Sequence, residues 1–241
     1  MSITFSNGFT ISRPTSPLVT GGLIFNLETA PSSGTTWTDS SGNGYNAIIS
    51  GSATYVSNNG GGIKLNNTSA NGGGVDFISV PYNINSSTVT VEIVASFNST
   101  SHWSTIWGNE AYTPGHGYLA FMNNTTNIIY GRSNSPASET VTASNDVRHW
   151  IFVINGTQHS LYLNGTQVGT TDTLSIQTLF TTNNFYFGSR HTNTGTGHQD
   201  KLNNSNSALQ PVFYQMRLYN KALSVSEISQ NYNAIKSTYG I

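Results

Sequence analysis

The sequence contains no cysteine, which excludes a disulfide scaffold, thiolate metal sites and cysteine nucleophiles. Charge is scarce too: Asp, Glu, Lys and Arg make up 8% of the 241 residues, where an ordinary globular domain carries about 25%. The formal net charge of −1 leaves no field to draw in nucleic acid or an anionic bilayer, so neither is an expected partner. No apolar run approaches the ~18 residues of a spanning helix, and Met1 to Pro14 lacks the basic-then-apolar pattern of a secretory signal. No signal peptide and no membrane insertion are expected.

What stands in place of charge is Ser, Thr, Asn and 24 glycines. Thr fits a pleated surface, while Asn and Gly supply tight turns, so the composition favours strands joined by many short loops. A chain of this length buries enough apolar surface to be stable without staples, and it suits one large β domain.

Residues 1–20 read as an N-terminal arm, with Ile3, Phe5, Phe9 and Ile11 alternating before prolines 14 and 17 interrupt any ladder. Residues 21–241 form the expected domain. Its strands are expected at Gly22–Leu27, 54–56, 62–66, 75–80, 88–97, 104–107, 117–122 and 127–131. Trp150, Phe152 and Ile154 then alternate up to Asn155-Gly156, and Leu161 and Leu163 up to Asn164-Gly165. Asn-Gly between alternating apolar runs predicts type I′ hairpins, because both central residues need positive φ. Two more strands are expected at 185–187 and 212–219, separated by a long polar loop from Ser189 to Gln210. Ser224 and Glu227 form a capping box that opens a helix presenting Ile228, Tyr232 and Ile235 on one face.

Three segments in this order carry a family resemblance. Gly22-Leu23-Ile24-Phe25-Asn26-Leu27 followed by Trp37-Thr38-Asp39-Ser40-Ser41-Gly42-Asn43-Gly44 resembles the opening of laminin-G-like, concanavalin A-like lectin/glucanase domains. His149-Trp150-Ile151-Phe152 with Leu161-Tyr162-Leu163-Asn164-Gly165 resembles their central hairpin, and Met216 to Ser224 their closing strand and helix. The resemblance implies an all-β antiparallel jelly-roll β-sandwich with one short C-terminal helix. The tail from Asn231 to Ile241 is similar to that of structural proteins of tailed bacteriophages, especially cyanophage-like ones.

Glucanases of this family place two or three carboxylates at alternate positions of one strand, as Glu-x-Asp-x-Glu. The matching strand here, Val91-Glu92-Ile93-Val94-Ala95-Ser96, carries one. No two of the ten acidic residues lie within four positions, so a paired-acid site would need separate segments and an enzyme is not expected. His191, His198 and Asp200 share the long loop, but their spacing fixes no metal geometry.

Sugar binding needs aromatic faces beside polar donors, and Trp103, Trp107, Tyr112 and Tyr118 are the candidates. Trp103 and Trp107 would share a face of one strand, which the core could equally claim. Asp39, Asn43 and Asn46 offer hard oxygens to a weak calcium site, though with a single full charge. The competing reading has Asp39 and Ser40 brace the Gly-rich turn through hydrogen bonds to backbone. No cofactor is required by this pattern.

The expected function is that of a non-enzymatic virion structural protein of a tailed bacteriophage, a capsid decoration or tail-associated lectin-like module assembled in the host cytoplasm. Its expected partners are copies of itself, other virion proteins and a cell-surface glycan. A free carbohydrate-binding lectin is the alternative, and a glycoside hydrolase the third reading.

Overall fold

The computed structural model describes residues 2–4, 10–12, 17–66, 76–97, 104–109, 117–122, 127–132, 135–142, 144–174, 184–191, 198–199 and 210–241. In chain order the first strands are β1 (Ser2–Thr4), β2 (Thr10–Ser12), β3 (Leu23–Leu27), β4 (Thr36–Trp37), β5 (Ala47–Ser50), β6 (Thr54–Val56) and β7 (Gly62–Lys64). Next come β8 (Phe77–Val80), β9 (Thr88–Phe97), β10 (Ser104–Gly108), β11 (Leu119–Met122), β12 (Asn127–Arg132), β13 (Ser135–Thr140) and β14 (Ser144–Asn155). The last are β15 (Gln158–Leu163), β16 (Thr166–Thr173), β17 (Phe185–Phe187), β18 (Arg190–His191), β19 (His198–Gln199) and β20 (Val212–Tyr219), then helix α1 (Val225–Tyr239).

Two large antiparallel sheets form a sandwich, as the jelly-roll expectation requires. One runs β13-β12-β11-β10-β17-β8-β5-β4; the other runs β16-β15-β14-β9-β20-β7-β6, with β3 also paired to β20. Strand β9 shows how sequence period becomes two layers. Val91, Ile93, Ala95 and Phe97 face the other sheet, whereas Thr90, Glu92, Val94 and Ser96 face outward, as a two-residue period demands.

Between the sheets Trp107 stacks on Phe185 at 5.6 Å and meets Phe152 edge-on at 5.5 Å, and Phe97 packs on Trp150 at 5.3 Å. Each such buried ring contributes about 1.5–3 kcal/mol over its exposed state. The outward face of the second sheet is also covered. Ile228 of α1 joins Ile151, Val153, Tyr162 and Tyr219, and Ile235 and Tyr239 join Val94 and Tyr214.

The helix begins where the capping box predicts: Ser224 accepts from the Glu227 amide and the Glu227 carboxylate accepts from the Ser224 amide. Thr90 fixes its approach by donating to Lys221 O at 2.8 Å and accepting from Leu223 N at 3.0 Å. Tyr232 is only half-buried and stacks on His149 at 5.9 Å, while Asn231 takes the buried position between Ile228 and Ile235.

Two expectations need correction. The tetrad Asn-Gly-Thr-Gln occurs twice but turns differently: Leu163 pairs with Thr166, so Asn164 (φ 49°) and Gly165 (φ 77°) make the expected type I′ loop. Asn155 instead pairs with Gln158, and the loop is Gly156-Thr157 with positive φ at Gly156 alone. Neighbours set that register, since Gly156 N donates to Ser87 O and Leu174 N to Thr157 O. Second, β5 and β13 are strands outside the segments where strands are expected. Val19 is buried against α1 and its amide donates to Asn231 Oδ1 at 2.9 Å. Strands β1 and β2 pair only with each other among the described residues. Within the long polar loop, the backbones of His191 and His198 lie opposite one another, and Asp200 lies outside the described residues.

Candidate functional site

The outward face of β9 and β20 carries a polar row beneath α1. On β20, Gln215, Arg217 and Tyr219 point to this side, opposite Val94, Glu92 and Thr90 of β9. Arg217 Nη1 donates to Glu92 Oε1 at 2.7 Å, and its Nε donates to Asn26 Oδ1 at 2.8 Å. The His149 ring Nε2 meets the same Glu92 oxygen at 2.9 Å, and Asn231 Nδ2 donates to Glu92 Oε2 at 2.7 Å. Asn231 Nδ2 also reaches Tyr219 OH at 3.0 Å.

Glu92 is 1% exposed. Burial by itself would raise its pKa, but the Arg217 charge, the His149 ring and the Asn231 amide outweigh burial and lower it from 4.5 to about 2. The single carboxylate of β9 is thus an ionised anion at neutral pH, buried and held by Arg217, His149 and Asn231 between sheet and helix.

Two of the four aromatic candidates for sugar stacking lie among the described residues. Trp107 and Tyr118 are fully buried between the sheets, the core alternative to a stacking platform, so neither ring has a free face. Even spacing placed Trp107 on one face of its strand, and that face is the inner one. Trp103 and Tyr112 lie outside the described residues.

The calcium candidates are drawn into a turn. Asp39 Oδ1 accepts from the Asn26 and Ser41 amides at 2.8 and 2.9 Å, and Oδ2 accepts from the Ser41 hydroxyl at 2.8 Å and the Tyr45 amide at 3.0 Å. Burial opposes ionisation of Asp39, yet these four donors pull its pKa below the ordinary value. Asn46 Oδ1 accepts from the Asp39 amide at 2.9 Å, and Asn43 Nδ2 donates to Leu23 O and Ile24 O at 3.1 and 2.9 Å. Ser40 joins them through its hydroxyl to Asn26 O at 3.1 Å. These oxygens serve backbone amides and tie the loop to β3. Among the described residues no group of three His, Asp or Glu side chains is placed to hold a metal.

A second polar group lies between the sheets at the β12–β13 and β15–β16 end. His159 faces inward with Tyr118 edge-on at 6.4 Å, and Asp172 is its cross-strand neighbour. Tyr118 OH, Tyr130 OH, His159 Nδ1 and Asp172 Oδ2 are buried without a hydrogen-bond partner among the described residues. Burial pushes the Tyr118 hydroxyl up to about 12, and burial with Asp172 nearby raises Glu139 against the pull of the Thr170 amide. Glu139 and Asp172 come from separate strands, which is how a sequence with no neighbouring acids brings two together.

One cleft opens on the polar row, and a second shares Glu28 and Thr29 with it. The first, of about 320 Å³, lies at the C-terminal end of α1 and is lined by Glu28, Gln215, Arg217, Ile235 and Tyr239 among others. The other, about 470 Å³, runs along the β3–β4 connection past Pro31, Ser32, Thr36, Thr38 and Ser40. The Glu28 carboxylate is held by the Ser40 hydroxyl at 2.9 Å and Asn26 Nδ2 at 3.0 Å. Sequence reasoning missed Glu28, Gln215 and Arg217, although Gln215 and Arg217 stand two apart in an otherwise apolar strand.

A two-sheet jelly roll whose outer face is closed by a terminal helix defines the class of lectin-like sandwiches. The sequence profile of the concanavalin A-like lectin/glucanases superfamily matches residues 58–229, and the chain belongs to that family. Curated proteins give no significant sequence match. Among solved structures it is similar to the binding domain of botulinum neurotoxin DC in complex with rat synaptotagmin II, with 13% identity and a TM-score of 0.66 over 89% of this chain and 52% of that one. It is likewise similar to botulinum neurotoxin type C, described as depending on two ganglioside molecules to enter cells, with 14% identity and a TM-score of 0.65 over 89% and 51%. A Trypanosoma rangeli sialidase mutant displaying trans-sialidase activity matches at 17% identity and a TM-score of 0.63, over 90% of this chain and 33% of that one. The chain therefore spans about half the length of the toxin binding domains it matches. At these identities the likeness is one of fold. Among the described residues no helix is long and apolar enough to cross a membrane.

Proposed function

We propose that this chain is a non-catalytic binding module that attaches to surface carbohydrate and works within an assembly. The observation that carries the reading is Glu92: the family's catalytic strand keeps one carboxylate, buried under α1 and held by Arg217, His149 and Asn231. A sandwich so closed retains the fold's capacity to present loops and clefts while giving up its acid–base chemistry. The ganglioside dependence described for neurotoxin type C, and the synaptotagmin II complex of neurotoxin DC, support glycan and protein binding as uses of such a sandwich.

In its finer form the assembly is the virion of a tailed bacteriophage, with the chain decorating the capsid or tail after assembly in the host cytoplasm. The charge-poor composition and the self-paired β1–β2 hairpin, free of both large sheets, support that form. A glycan array probed with the whole chain, run beside a reducing-sugar release assay, tests the core reading. Retained glycans without release are expected; release of sugar, or an array with no retained glycan, overturns it. Antibody labelling of purified virions tests the finer form, which unlabelled particles would exclude.

A further inference from the structure

Four Asn-Gly pairs lie among the described residues, at 43–44, 59–60, 155–156 and 164–165. Such a pair is reactive because glycine has no Cβ to shield its amide nitrogen. That nitrogen bonds to the asparagine Cγ, the side-chain amide leaves as ammonia with the glycine amide proton, and water then opens the succinimide ring. Nothing is oxidised or reduced. In an unfolded chain the four pairs react alike, since each asparagine precedes a glycine. The fold separates them by how it holds the two reacting groups.

At three pairs one group is engaged. Asn43 Nδ2 donates to Leu23 O and Ile24 O at 3.1 and 2.9 Å. Asn164 Oδ1 accepts from His149 N at 2.9 Å, and a Cβ on Gly165 would meet the Tyr232 ring at 2.9 Å. At Asn155 the nucleophile is held instead, because Gly156 N donates to Ser87 O at 2.8 Å.

Asn59-Gly60 is held at neither end. The pair is the centre of the β6–β7 turn, with φ of 48° and 82°, closed by Gly61 N donating to Asn58 O at 3.0 Å. That bond uses the amide after Gly60 and the carbonyl before Asn59. Asn58 is tethered as well, through Nδ2 to Tyr214 OH at 3.1 Å. Asn59 is exposed, and neither its carboxamide nor the Gly60 amide has a hydrogen-bond partner among the described residues. The turn rests on the last turn of α1: a Cβ on Gly60 would lie 3.6 Å from Thr238 and 3.7 Å from Tyr239, two residues that line the cleft there.

We propose that Asn59 is a site of spontaneous deamidation, which adds a carboxylate to the turn that abuts the C-terminal end of α1. Ring opening at the side-chain carbonyl gives aspartate. Opening at the backbone carbonyl gives isoaspartate, which routes the main chain through the side-chain methylene and lengthens the turn by one carbon. With a formal net charge of −1, the chain gains a large fraction of its charge from one such event. Older copies are thereby marked beside the cleft, whatever the chain binds.

The test is incubation of the whole folded chain in mildly alkaline buffer at body temperature, with conversion at each pair followed by peptide mass mapping. Isoaspartate is read separately by methyl transfer from S-adenosylmethionine with a protein isoaspartate methyltransferase. Asn59 is expected to convert roughly tenfold faster than Asn43, Asn155 or Asn164, equal to about 1.4 kcal/mol of barrier, the order of one hydrogen bond that must first break. In denaturing urea the four rates converge. Conversion at Asn59 no faster than at the other three in the folded chain overturns the proposal, as does a lead of Asn59 that persists in urea.

Discussion

Two groups of polar side chains are buried in this sandwich, and they resolve the cost of burial in opposite ways. Beneath α1, Glu92, Arg217, Asn231 and Tyr219 hold one another at 2.7–3.0 Å. Between the sheets, Tyr118, Tyr130, His159 and Asp172 each keep a buried polar atom without a protein partner. The Glu92 network, in which His149 Nδ1 alone lacks a partner among the described residues, specifies one docking geometry for the helix, whereas the loosely connected group adds little to stability and much to local polarity. Satisfaction, more than burial, separates a structural polar group from a spare one.

That contrast can be broken most sharply at Glu92. Glu92→Ala leaves Arg217 buried beside Asn26 alone, and the cost expected is about 3–5 kcal/mol, read as a fall in urea midpoint. A loss under 1 kcal/mol would mean that the network contributes little.

Acid probes the same group without mutation. Because its folded pKa lies near 2, below the 4.5 of the unfolded chain, Glu92 stabilises fully above about pH 4.5 and loses that contribution as pH falls toward 2. About 3 kcal/mol is at stake, visible as a declining unfolding free energy across that window in wild type and a flatter one in Glu92→Ala.

The smallest effect sharpens the comparison between two tyrosines. Tyr219→Phe removes a hydroxyl that accepts from Asn231 and costs about 1 kcal/mol, whereas Tyr130→Phe removes one with no protein partner and leaves stability unchanged or slightly raised. Equal losses in calorimetric melting temperature would erase the distinction.

Much of this architecture was legible in the residues themselves. The strand 88–97, the Ser224–Glu227 cap and the Asn164-Gly165 turn follow from local period and turn chemistry, and each stands in the structure where its residues put it. Edge strand β13 was not legible: Ser-Pro-Ala-Ser-Glu-Thr has no apolar alternation, and a sheet edge is where a strand tolerates proline. The site was harder still. Spacing left Trp107 open to both readings, platform and core, because it tells which residues share a face but not which face meets water. Glu92 and Arg217 are 125 positions apart, so their pairing appears only once β9 and β20 are neighbours. That Gln215 Oε1 lacks a partner among the described residues while Arg217 beside it is fully engaged is likewise a property of the assembled row.

Strand β20 sits in the middle of its sheet, paired with β9 on one side and with β3 and β7 on the other. Its consequence is one of timing. As the ribosome feeds the chain outward, β3, β7 and β9 emerge long before residues 212–219, and until then none of them has the neighbour that completes it. Such late, sequence-distant pairing makes for slow folding and prolonged exposure of strand edges to other nascent chains. The low-charge, Asn- and Thr-rich surface must therefore keep the half-built sheet apart from its copies for the whole interval before the last strand arrives.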